Sequence, residues 1–157
     1  MYMMGAIQVK TLLMLTSQLS GYPIPTDVPL PEIKVMTDAE MAKEACDGDL
    51  LCPVIGFFQH PEDADDHKEH IGIAIEDGFD LNATAIHELT HWLQYHNWPQ
   101  PHDRRCPREF LREFEAYEAG MRYSVTYQHA VPPKDGISFP GTTCPYTEKP
   151  WATYSGH

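Results

Sequence analysis

Residues 81–97 read LNATAIHELTHWLQYHN, and at their centre His87-Glu88-Leu89-Thr90-His91 spells HELTH. On an α-helix, residues four apart point within about 40° of one another, so His87 and His91 share a face one turn apart. Two imidazoles in that relation can grip a single Zn²⁺ through nitrogens at about 2.0–2.1 Å. Glu88 follows the first histidine and flanks the same ion, where a carboxylate can take a proton from a water that the ion acidifies. The stretch supplies its own helix: Ile86, Leu89 and Leu93 recur at intervals of three and four and mark a buried stripe. Asn82 or Thr84 is expected to cap the start, and Asn97 with Pro99 to end it.

Working outward, the chain ahead of this helix reads as strands. His70–Glu76 (HIGIAIE) alternates Ile71, Ile73 and Ile75 with small or charged residues, which predicts one buried face and one open face. Val54–Gln59 (VIGFFQ) and Glu32–Met36 (EIKVM) are rich in branched and aromatic residues and read the same way. Thr37 or Asp38 caps a helix over DAEMAKEAC, which an acidic turn at Asp47–Asp49 closes. The run HPEDADDHKEH is too charged to bury. Its His60, His67 and His70 lie near carboxylates, but no regular element fixes them, so it reads as a solvated loop. Gln8–Leu19 reads as an ordinary helix and not a signal peptide, because TLLMLT is short and Lys10 is its only basic residue. Beyond the central helix, WPQPHDRRCPR reverses the chain into a second helix, Arg108–Tyr123, whose Phe110, Phe114, Tyr117 and Met121 mark its inward side. Residues 131–157 show no periodicity and are expected to form an irregular surface segment.

At 157 residues, the chain suits a single α+β domain over 1–157, with a small mixed sheet of three or four strands. A formal charge of −12 argues against nucleic acid and against an anionic membrane as partners. No stretch approaches the roughly 20 apolar residues of a membrane span. Cys46, Cys52, Cys106 and Cys144 lack the spacing of a zinc knuckle; Cys46–Cys52 and Cys106–Cys144 are the expected disulfides. An even count of that kind points to an exported or virion-associated setting.

An open zinc site needs a third protein ligand. The second helix offers Glu109, Glu113, Glu115 and Glu118, with His102 at its edge. Measured from the mean direction of its four large apolar residues, Glu113 and Glu118 lie about 70° off on opposite flanks, Glu109 about 110° and Glu115 about 130°, toward solvent. Helical geometry leaves the choice open.

The pairing of HELTH with a glutamate on the following helix resembles the gluzincins, the thermolysin-like branch of the zincin metallopeptidases. REFEAY (Arg112–Tyr117) is similar to the RExxAD segment of some gluzincins, which implies Glu113 as the third ligand and puts Tyr117 where an Asp usually supports a histidine. A second gluzincin pattern, E-A-x-x-D, selects Glu115 but requires Asp where Ala119 stands. The likeness is strongest to small, mostly uncharacterised HExxH proteins of bacteria and phages, and it covers about Ile71–Tyr123. It implies a zincin-like fold, Zn²⁺ on His87, His91 and Glu113, Glu88 as catalytic base, and a peptide or protein substrate. It also implies that strand Ile71–Glu76 is the sheet edge beside the cleft. Tyr95, His96, Tyr123, Tyr127 and His129 are candidate donors to the oxyanion. The competing expectation is a non-catalytic zinc-binding protein, such as a component of a phage particle, held in a larger protein assembly.

Overall fold

The computed structural model describes residues 1–62, 64–75, 80–97 and 106–131. In chain order they form β1 (Tyr2–Met3), α1 (Ala6–Ser20), β2 (Glu32–Met36), α2 (Asp38–Ala45), β3 (Gly56–Gln59), β4 (His70–Ala74), α3 (Leu81–Asn97) and α4 (Cys106–Gln128). The fold is α+β. Its four strands lie in the order β1-β2-β4-β3; β2 and β4 are parallel, and each outer strand runs antiparallel to its neighbour.

Strand alternation sends Ile33 and Val35 of β2, with Ile71 and Ile73 of β4, to one face. There they meet Leu12 and Leu13 of α1 and Ile86, Leu89 and Leu93 of α3. Each of these aliphatic side chains is buried, and burial of one contributes about 1.5–3 kcal/mol. This packing, more than any surface ion pair, seats α3 on the sheet.

The opposite face is also covered, contrary to the expected open side of the HIGIAIE strand. Met36, Ala74 and Met41 of α2 form a second core with Phe57, Val54 and Cys52 against it. The reason lies in Gly72, which pairs in register with Phe57. A Cβ on Gly72 would stand 2.3 Å from the Phe57 ring, so only glycine admits that ring onto the sheet. β4 ends at Ala74, and Ile75, expected on the buried side, is 53% exposed. β4 is also interior rather than the edge. The strand beside α3 at the sheet margin is β3.

Thr37 is the cap of α2, in a reciprocal capping box with Glu40. The cap of α3 is neither Asn82 nor Thr84 but Asp80, whose Oδ1 accepts from Ala83 N–H at 2.9 Å. Asn82 instead donates to the Tyr123 hydroxyl at 3.2 Å, and the Thr84 hydroxyl donates to the Asp80 carbonyl at 3.2 Å. Cys46 and Cys52 stand at disulfide distance, 2.07 Å, tying the end of α2 to the chain that enters β3. The Cys106–Cys144 pair, Pro99, His102, the side chains of Glu109 and Phe110, and nearly all of 131–157 lie outside what is described.

α4 corrects the expected helix face. Phe114, Glu115, Ala116 and Ala119 are buried, while Tyr117 is 37% exposed. α4 packs against both α1 and α3, so it buries a wider arc than a helix lying on one neighbour. The small side chains of Ala116 and Ala119 sit at that close approach, and averaging only the large residues turned the inward direction away from it.

Candidate metal centre

α3 presents His87 and His91 one turn apart, and α4 brings Glu113 to them. The Nε2 atoms of the two histidines are 3.2 Å apart. Glu113 places Oε1 3.0 Å from His91 Nε2 and Oε2 3.6 Å from His87 Nε2. Ligand atoms about 2.0–2.1 Å from a shared tetrahedral ion are separated by about 3.3 Å, so a nitrogen–nitrogen–oxygen set of this size encloses one small divalent cation. It is the single such group of His, Cys, Asp and Glu among the described residues. The arrangement is not specific to zinc, since the same donors suit other divalent ions.

Two of the other candidate carboxylates, Glu118 and Glu115, are otherwise engaged. Glu118 pairs with Arg122 at 2.7 Å, one turn along α4. Glu115 does not face solvent as expected: it is 4% exposed, and its Oε2 accepts from the Tyr22 hydroxyl at 2.6 Å and from Gln94 Nε2 at 2.9 Å.

Electrostatics at the cluster follow from crowding. Burial acts to lower the His91 pKa, but its hydrogen bond to Glu113 and the nearby Glu88 and Glu113 charges push it up to about 9. Burial acts to raise Glu113, yet hydrogen bonds from His87 and His91 hold it well below the usual carboxylate range. Glu88 is 6% exposed, and its burial pushes the carboxyl above its ordinary value, with the two histidines opposing. The cluster thus already favours positive charge between its ligands, the property a cation site requires.

Glu88 is reached from the sheet by the edge strand. A Cβ on Gly56, the first residue of β3, would lie 2.8 Å from Glu88 Oε1 and 2.9 Å from Thr84 Cγ2. Glycine there lets the β3 backbone close on the Glu88 carboxylate.

Behind His91 stands a support that motif reading missed. His91 Nδ1 is 2.9 Å from Gln94 Oε1, and Gln94 Nε2 donates to the Arg112 carbonyl at 3.1 Å as well as to Glu115. The signal was available: Gln94 sits three residues after His91, on the same helical face. Behind His87 is Tyr117, its ring centroid 4.5 Å from the imidazole and inclined 75° to it.

The oxyanion candidates expected from sequence have other surroundings. Tyr95 donates to Glu62 at 3.0 Å, and burial with that carboxylate pushes its pKa up to about 12. His96 pairs with Glu69 at 3.0 Å, and Glu69 also accepts from Trp92 Nε1 at 2.9 Å. That makes Glu69 an anchor of the charged loop to α3, where sequence suggested solvent alone. Tyr123 stacks on Tyr127, and His129 is exposed beyond the end of α4. In the same loop, His60 packs between Phe58 and Tyr95, and His70 lies 3.6 Å from Glu44. Among the described tyrosines, Tyr117 stands against a cluster histidine.

Compared with known proteins, the chain matches no family model, no curated protein and no solved structure. The functional reading therefore rests on the chemistry of the site.

Proposed function

We propose that this chain is a zinc-dependent metallopeptidase of gluzincin type, with a zincin-like fold, His87, His91 and Glu113 as metal ligands and Glu88 as general base. The observation that supports the reading best is the joint placement of two imidazoles, one carboxylate of a separate helix, and a second carboxylate with raised proton affinity. His87, His91 and Glu113 would hold the divalent cation, which when bound would supply Lewis acidity and a water of pKa about 7.

The chain's own groups do the rest. Glu88, buried beside the ligands, has the proton affinity to accept a proton from the attacking water and return it to the departing amine. Among the described residues β3 pairs with β4 on one side only, so its outer edge can align an extended peptide by main-chain hydrogen bonds. Gly56 brings that edge against Glu88, which sets the peptide bond near the base. Tyr117, half open with its ring against His87, is the donor this reading assigns to the developing oxyanion.

The test is Glu88→Gln, assayed for zinc content and for hydrolysis of a quenched peptide library. Zinc should remain at one per chain while hydrolysis falls by about 10²–10⁴-fold. Hydrolysis unchanged by the substitution removes Glu88 from the mechanism. A wild-type chain that holds zinc but cleaves nothing in the library favours the structural reading of the site.

A further inference from the structure

We propose that Glu115 is a positioning residue for His91, acting through Gln94 and held in place by Tyr22, and that this chain sets the affinity of the metal centre. The proposal rests on His91 being a metal ligand, and extends it to three residues from α1's outgoing segment, α3 and α4.

The argument runs inward from the buried carboxylate. Glu115 is 4% exposed and Gln94 1% exposed, so neither side chain has water to exchange partners with. The Gln94 amide lies between two kinds of neighbour. On one side are two acceptors, the Arg112 carbonyl at 3.1 Å and Glu115 Oε2 at 2.9 Å. An amide nitrogen must face acceptors, so these two fix the amide orientation, and Oε1 is left facing His91. Oε1 accepts only; at 2.9 Å it requires the proton to sit on His91 Nδ1. The lone pair of neutral His91 is then on Nε2, the atom that meets Glu113 and His87 Nε2. Tyr22 donates to the same Glu115 oxygen at 2.6 Å and so holds the carboxylate at the start of the chain.

Without Glu115 the amide loses one of the two acceptors that orient it. A flipped Gln94 would point an N–H at Nδ1, move the imidazole proton to Nε2, and place that proton where the ion binds. The hydrogen-bonded chain also polarises the imidazole through the intervening amide.

The experiment titrates metal-free protein with Co²⁺, reading the visible d–d bands, and measures Zn²⁺ affinity by chelator competition. Gln94→Met and Glu115→Leu fill the same space without the hydrogen bonds. Each should weaken Zn²⁺ binding about 10–100-fold and alter the Co²⁺ spectrum. Glu115→Gln keeps an acceptor for Gln94 and should recover part of the loss. Combining Gln94→Met with Glu115→Leu should cost no more than Gln94→Met alone, because both cut one chain. Circular dichroism melts check that each variant folds. Affinities within twofold of wild type in folded variants, or losses that add in the double variant, overturn the proposal while leaving the metal centre intact. A wild-type chain that takes up neither Co²⁺ nor Zn²⁺ overturns both.

Discussion

The two histidines of the HELTH turn have the same chemistry and unlike support. His91 backs onto a buried polar chain of Gln94, Glu115 and Tyr22. His87 backs onto the ring of Tyr117, at the rim, where an aromatic edge replaces a hydrogen-bonding carboxylate. The difference traces to α4. Its inner arc, pressed between α1 and α3, reaches His91 through Gln94, whereas its outer flank carries Glu113 and Tyr117 to the rim. A ligand held by directional hydrogen bonds loses a specified tautomer when its support is cut. One held by packing loses mainly contact area.

The strongest way to break this contrast is to remove the ligands themselves. His87→Ala and His91→Ala should each abolish measurable Zn²⁺ binding by calorimetry, because two donors no longer close the site whatever stood behind them. Supports should separate the two sides: Gln94→Met loses about 10–100-fold in zinc affinity. Tyr117→Phe, which keeps the ring against His87, should stay within about 0.5 kcal/mol in binding, while peptide hydrolysis falls if its hydroxyl serves the oxyanion.

A pH series sharpens the contrast further. In metal-free protein the His91 pKa is raised from 6.5 to about 9. Its stabilising contribution is therefore complete below about pH 6.5 and is lost as pH rises through about 9. Urea midpoints of the metal-free chain should fall over that window, and His91→Ala should remove that part of the slope. Tyr22→Phe deletes one of the hydrogen bonds to Glu115 and should lower stability by about 0.5–1.5 kcal/mol in urea melts.

Much of the candidate site's geometry was legible because it is local. His87, Glu88 and His91 need only a helix, and Ile86, Leu89 and Leu93, all buried, ensure one. Glu113 was different: helical angles left it level with Glu118, and the choice came from the likeness of REFEAY to a known segment. Glu115 was misplaced for a physical reason. A helix wedged between two others buries a wide arc, and Ala116 and Ala119 mark that arc better than Phe114 and Tyr117 do. Strand order was equally hidden. Whether HIGIAIE is central or marginal depends on which strands pair with it, and Gly72 becomes informative only once Phe57 is known to lie over it. Asp80 as cap went unseen because Asn82 or Thr84, the caps expected, lie two and four residues further along.

One helix, α4, supplies both the carboxylate that completes the candidate metal centre and the carboxylate sunk in the interior beneath it. Ion occupancy and interior packing are therefore linked quantities, and either can be read through the other. Filling the site holds Glu113, restrains the backbone two residues on, and should slow amide exchange along α4 and around Gln94. At a hundredfold excess of free ion over its dissociation constant, the whole fold gains about 2.7 kcal/mol by mass action.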